Sequence, residues 1–151
     1  MHRKRFALGL YWFAFMLVSF YVNAQYPEMQ WANHIGSTFT DSGLATTTDA
    51  SGNVYFTGYY SGTADFDPSA TTTNLTAAGG FDVFIAKYNA AGDLLWVKSL
   101  GGPQTDHGKS IAVDALGNVL VAGIFMNTAD FNPGAGVNML TSSGNWDVFV
   151  C

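Results

Sequence analysis

The side chains best suited to chemistry come in pairs, one member in each half of the chain. Asp65 and Asp67 lie in Thr63-Ala-Asp-Phe-Asp-Pro68, and a second copy, Thr128-Ala-Asp-Phe-Asn-Pro133, puts Asp130 and Asn132 in the same places. Carboxylate and amide oxygens at this density are what a hard cation such as Ca²⁺ takes as ligands. The competing reading is acidic turn residues that accept backbone N–H groups close by in the chain. It is preferred, because neither copy carries the twelve-residue calcium loop with its closing bidentate Glu. Asp49-Ala-Ser-Gly-Asn53 lacks that Glu too and has the make-up of a hairpin turn. Asp65, Asp67, Asp130 and Asn132 stand as the candidate metal ligands, with Ca²⁺ the ion they would hold, and no other cofactor is assigned.

No catalytic residue is assigned either. Paired carboxylates are the machinery of glycoside hydrolysis, but each Asp named above recurs or nearly recurs, and a repeated residue is more simply architectural. Catalysis needs a break in the repeat. The unrepeated polar residues are His34, opposite Ser99, His107, opposite Ser42, and Lys109, opposite Leu44. They are read as solvated loop or edge residues, because no serine-nucleophile motif, zinc-type His spacing or phosphate loop accompanies them. Trp146-Asp147 spells WD but aligns with Phe81-Asp82, so it carries no WD40 meaning. Asn74-Leu-Thr76 is a formal glycosylation acceptor whose partner, Met139-Leu-Thr141, is not. The aromatic residues, Tyr55, Phe56, Phe84, Phe125 and Phe149 among them, are read as core. The Tyr59-Tyr60 pair is the exception, since it leads into a long loop and would be able to stack a sugar ring.

Behind these residues stands a repeat. Residues 31–86 and 96–151 are identical at 23 of 56 positions with no gap. The pairs Trp31 and Trp96, Gly52 and Gly117, Gly58 and Gly123, Phe66 and Phe131, Pro68 and Pro133, and Asp82 and Asp147 mark its frame. Periodicity is that of strands, expected over residues 44–48, 54–60, 82–88 and 94–100. Asp49-Ala-Ser-Gly-Asn53 and Asn89-Ala-Ala-Gly-Asp93 join the first two and the last two as antiparallel hairpins, with Gly52 and Gly92 at positive φ. Residues 61–80 are expected as the longest irregular stretch, at a rim or on one face, with one more short edge strand in their Thr-rich part. Pro68 and Pro133 cannot donate to a central ladder.

Residues 1–24 obey different rules. His2-Arg3-Lys4-Arg5 precedes an apolar run to Val22, and Val22-Asn23-Ala24 offers a signal-peptidase site. A signal peptide cut after Ala24 is expected, with an uncleaved membrane anchor as the alternative. Its removal leaves Lys87, Lys98 and Lys109 against eleven acids, a net −8. Such a chain has no basic patch for nucleic acid or anionic lipid. Cys151 is the single cysteine, so no disulfide framework supports the exported chain.

Four antiparallel strands per unit, repeated, describe blades of a β-propeller. The motifs D-x-x-G-N-V-x-x-x-G, A-D-F-[DN]-P, D-V-F-[IV]-A-K-Y-N and L-L-W-V-K-S-L-G-G resemble the SBBP β-propeller repeat of exported bacterial proteins, over about residues 29–151. The expected fold is all-β: residues 25–151 form propeller blades, in units of about 31–95 and 96–151, the second truncated. Met29-Gln-Trp-Ala-Asn-His-Ile-Gly36 aligns with residues 94–101 and reads as an orphan fourth strand. Two units cannot close a ring of four to eight blades, so the chain is expected to be the N-terminal fragment of a longer propeller. The resemblance implies an exported scaffold or recognition module for a protein or polysaccharide at the cell surface, with the remaining blades as its nearest partners. The alternatives are the N-terminal part of a propeller enzyme acting on polysaccharide and a truncated reading frame.

Overall fold

The computed structural model describes residues 28–151; the expected signal peptide, residues 1–24, lies outside them. Strands form where β-branched and aromatic residues alternate, a pattern that suits a pleated surface covered on one or both sides. The first unit holds β1 (Ser42–Thr48), β2 (Val54–Tyr60), β3 (Thr63–Asp65), β4 (Asn74–Thr76), β5 (Asp82–Tyr88) and β6 (Leu94–Leu100). The second holds β7 (His107–Val113), β8 (Val119–Phe125), β9 (Thr128–Asp130), β10 (Met139–Thr141) and β11 (Asp147–Val150). No helix occurs among the described residues, and none is therefore long and apolar enough to cross a membrane.

Blade one is an antiparallel meander in the order β1-β2-β5-β6, and blade two has the order β7-β8-β11. The registers coincide from one unit to the next: Gly58 faces Phe84 in blade one as Gly123 faces Phe149 in blade two. Both glycines are held by a close approach. A Cβ at Gly58 would collide with the carbonyl of Ser42, and one at Gly123 with that of His107. That contact lets the first strand of each blade begin earlier than its alternation suggests. β1 starts at Ser42 rather than Leu44, and a bulge between Gly43 and Ala45 absorbs Leu44.

The hairpin turns share one hydrogen-bond plan. Asp49 Oδ1 accepts the N–H groups of Ser51 (2.9 Å) and Asn53 (3.0 Å), while its Oδ2 accepts the Asn53 amide (2.8 Å). Asp114 repeats this with Leu116 and Asn118. In the β5–β6 turn the acid and amide exchange places: Asn89 Oδ1 accepts Ala91 and Asp93 N–H, and its amide donates to Asp93. Gly52, Gly92 and Gly117 have φ of +78°, +90° and +85°, a conformation that costs glycine nothing.

Residues 61–80 are more ordered than a rim loop. β3 and β4 pair with each other as a two-stranded ribbon, as do β9 and β10, and Ala64 and Phe66 are buried in the core. Sequence alone hid this because the inward positions, Ala64 and Phe66, are two short steps of a strand set among Thr, Asp and Pro.

The blades stack face to face. One core cluster joins Tyr55, Val83, Ile85 and Leu100 of blade one to Ile111, Val121, Phe125, Ala129, Phe131 and Phe149 of blade two. The other covers the opposite face of blade one, where Tyr60, Phe66, Phe84, Ala86 and Tyr88 meet Ile35. Residues 28–36 cross this second face. Trp31 Nε1 donates to the Ala90 carbonyl (3.1 Å) and the Asn33 amide to that of Gly92 (2.6 Å). Gly36 and Asp65 then exchange two backbone hydrogen bonds, as Gly101 and Asp130 do in the next unit.

Candidate functional site: an aromatic cluster across the blade junction

The repeated aspartates build the junction. Asp106 is fully buried and accepts the N–H groups of Gly102 (2.8 Å) and Met126 (3.2 Å); Asp41 holds Ser37 and Ser61 likewise. Asp82 Oδ2 accepts Ala78 N–H (2.9 Å), and Asp147 Oδ2 accepts Ser143 N–H (2.8 Å). A backbone bond from Asp106 to the Phe81 carbonyl (2.7 Å) and a parallel bridge between Phe81 and Thr105 stitch the starts of β5 and β7 together. Asp82 and Asp106 flank Gly101, where an added Cβ would fall within about 3 Å of both carboxylates. Burial above all, with the charge of Asp106, pushes Asp82 up to about 6; burial raises Asp106 as well.

Neighbours of these aspartates differ between units, and they meet in space. His107 stacks on Tyr59 at 4.1 Å between ring centroids and 27° between planes. The edge of Phe81 closes on both, at 5.1 Å from Tyr59 and 5.9 Å from His107. Trp146, 42% exposed, lies 5.6 Å from His107. Lys109 Nζ sits 5.9 Å from the Tyr59 ring centre. His107 is therefore a packed residue at the start of the edge strand β7: of the solvated loop or edge role its sequence suggests, the edge position holds and the solvation does not. Neither imidazole nitrogen has a hydrogen-bond partner among the described residues, and burial, helped by the Lys109 charge, lowers its pKa. It is neutral at neutral pH, a flat ring in an aromatic stack.

Tyr59 and Tyr60 do not form a joint platform. Successive strand residues face opposite sides: Tyr59 turns to blade two, while Tyr60 is fully buried and its hydroxyl meets Ser99 Oγ at 2.7 Å. Lys109 occupies the bulge of β7, between the pairs Gly108–Gly123 and Ser110–Ala122, the same slot that Leu44 fills in β1. Sequence reading assigned the aromatic residues, Phe81 and Trp146 with them, to the core and took His107 and Lys109 as solvated loop or edge residues. The missed signal was that two unrepeated positions, 59 and 107, sit with the aromatic position 81 at strand ends that the repeat brings together.

The candidate metal ligands serve the ribbons. Asp65 Oδ1 accepts Asp67 and Thr73 N–H (3.0 and 2.9 Å), and Asp130 Oδ1 accepts Asn132 and Asn138 N–H (2.9 Å each). Asp67 takes Ser69 N–H and the Thr71 hydroxyl, and Asn132 takes Gly134 N–H. The Thr71 and Ser69 bonds lower Asp67, and the Asn138 and Asn132 bonds lower Asp130. Among the described residues no three of His, Cys, Asp and Glu form a metal-holding group. His34 lines a polar groove with Asp65, Asp67 and Pro68, across the blade from the aromatic cluster.

Antiparallel blades stacked in register at a constant period define a β-propeller repeat protein. Residues 95–123 match the family model of the SBBP β-propeller repeat, and the chain carries that repeat. The matched span runs across the blade junction, from β6 through the Asp106 loop and the β7 bulge to Gly123 in β8. A curated relative, an uncharacterised WD repeat-containing protein of Acanthamoeba polyphaga mimivirus, is 33% identical over 113 residues. That match takes in 66% of this chain and 8% of the relative, so the chain spans a small part of the relative's length.

Proposed function

We propose that this chain is an exported recognition module: its propeller blades act as a scaffold at the cell surface, and the aromatic cluster at their junction binds a polysaccharide or protein. The observation that carries this reading is the asymmetry of the cluster. Tyr59, His107 and Lys109 stand opposite Ile124, Ser42 and Leu44, yet with the equivalent aromatic pair Phe81 and Trp146 they converge on a frame of repeated Asp and Gly. A scaffold alone has no use for that departure.

The chemistry suits a ligand with an apolar face and hydroxyl groups. The exposed part of the Trp146 ring offers a flat apolar surface on which such a face can stack. Lys109 supplies the nearest cation, which would pair with an acidic sugar or carboxylate. Export rests on the basic start, the apolar run and Val22-Asn23-Ala24, and a chain recovered from the medium or periplasm of a Gram-negative host should begin at Gln25. An intact Met1 in the membrane fraction would replace secretion with anchoring.

Binding is tested by titrating neutral and uronic-acid polysaccharides while following tryptophan fluorescence. Trp146→Ala should weaken the ligand that binds by tenfold or more at a temperature where thermal unfolding shows the variant still folded. Equal binding by Trp146→Ala and wild type would remove the cluster from the recognition surface.

A further inference from the structure

We propose that Asp82 and Asp106 hold a divalent cation, Ca²⁺, between them at Gly101, on the seam where the two blades meet. Both sides of this seam lie within the described residues: Asp82 opens β5, Gly101 follows β6, and Asp106 precedes β7. Asp82 is 3% exposed and Asp106 0%. Their oxygens converge, for Asp82 Oδ1 and Asp106 Oδ2 stand 2.9 and 3.0 Å from the place a Gly101 Cβ would take. Asp82 Oδ1 has no hydrogen-bond partner among the described residues, whereas nearly every buried polar atom of a folded protein has one. It is a buried acceptor aimed at a second carboxylate. The arrangement recurs in outline, since Gly36, Asp41 and Asp147 are the equivalents of Gly101, Asp106 and Asp82, and Asp41 Oδ2 again stands 3.0 Å from a Gly36 Cβ.

The chain supplies these two charges with no cation of its own. Asp82 Oδ2 accepts Ala78 N–H, and the two oxygens of Asp106 accept Gly102 and Met126 N–H. No Lys, Arg or His among the described residues forms an ion pair with either carboxylate; the ion pair found there joins Lys87 to Asp49. A buried charge without an opposite charge is costly. An ion at Gly101 would satisfy the orphan oxygen and offset the repulsion between the carboxylates together. The ribbon aspartates, Asp65, Asp67 and Asp130, lack this signature, since none of their oxygens is both buried and unpartnered.

Carboxylate oxygens select a hard ion, and a pair of them favours two positive charges over one. Between Mg²⁺ and Ca²⁺, burial decides. Mg²⁺ demands near-ideal octahedral geometry and gives up its waters reluctantly, while Ca²⁺ accepts irregular shells of carboxylate, carbonyl and other neutral oxygens. Neutral oxygens lie close by. Gly79 packs so tightly against the carbonyls of Gly102 and Pro103 that an added Cβ would collide with both. Burial raises the pKa of Asp82, and the Ser99 hydroxyl is among the groups near enough to lower it.

The test compares chelator-treated chain with and without millimolar CaCl₂ at neutral pH. An ion that binds the folded state alone raises the melting temperature, so the wild type should gain several degrees and Asp82→Asn none. MgCl₂ at the same concentration should leave both where they were, and an equal response to it would overturn the choice of Ca²⁺. A second measurement needs no unfolding. Tb³⁺ takes the place of Ca²⁺ among oxygen ligands and luminesces when an adjacent tyrosine is excited, and Tyr60, whose hydroxyl meets Ser99 Oγ at 2.7 Å, stands close enough to Asp82 to feel its charge. Wild type and Asp65→Asn should both show Tb³⁺ emission that Ca²⁺ displaces. Asp82→Asn and Asp106→Asn should lose it, with circular dichroism reporting which of the two remains folded. A wild type without the Ca²⁺ shift, or without displaceable emission, would overturn the proposal and leave the carboxylates to a shared proton or a water. Binding that survives in folded Asp82→Asn, or that Asp65→Asn abolishes, would overturn it equally, and the latter would return the ion to the ribbons.

Discussion

Asp82 is the residue where this fold is least comfortable. Its Oδ1 has no hydrogen-bond partner among the described residues, and Asp106 stands across Gly101. A carboxylate so placed keeps its proton up to about 6, whereas the unfolded chain releases it near pH 4, its ordinary value. Between those limits the folded state binds more protons than the unfolded state, so stability falls as pH rises through the window. The full effect is on the order of 3 kcal/mol. Asp82→Asn should therefore melt at or above wild type at pH 7.5 and lose that advantage by pH 4.5, as followed by thermal unfolding across pH. His107 works in the opposite sense, because its lowered pKa makes stability fall as pH drops below about 6.5. His107→Phe should remove that acid-side loss and leave the Asp82 effect in place.

Turns and bulges give sharper tests at the scale of the element. Gly117 has φ +85° and nothing within 4 Å of its missing Cβ, so Gly117→Val meets strain without collision. It should destabilise by about 1 to 3 kcal/mol, and unchanged denaturation midpoints for both Gly117→Val and Gly52→Val would show that the turns tolerate any residue. These elements were legible in advance: Asp49-Ala-Ser-Gly-Asn53 announces its own hairpin, and strands 54–60, 82–88 and 94–100 match to the residue. The bulge at Leu44 was not, since it depends on the absence of a side chain at Gly58 on a neighbouring strand. Ala64 and Phe66 were lost for a related reason, a two-step alternation being too brief to stand out from Thr and Pro. Tyr59 and His107 could not be paired from sequence, because which face each takes and how near the blades lie are settled by contacts between strands of different units.

At the scale of the whole molecule, the described residues are two blades stacked face to face. Stability in such arrays is a sum of unit and interface terms, and two blades have a single complete interface. Residues 28–151 carry three Lys against eleven Asp and Glu, a net −8, and salt screens the repulsion this sets up between separate copies.

The bulge in the first strand of each blade reaches further than its effect on register. It sets one side chain per unit outside the ladder, Leu44 in the first and Lys109 in the second, with no cross-strand partner to satisfy. Lys109→Leu should thus change stability by about 0.5 kcal/mol or less, the range of an unconstrained surface exchange, in a denaturant titration. Such a position is a blank in the blueprint that every blade leaves unfilled. Successive blades of the same make could each write a different letter there, and the array would acquire a new spelling along its inner strands while the architecture stayed the same.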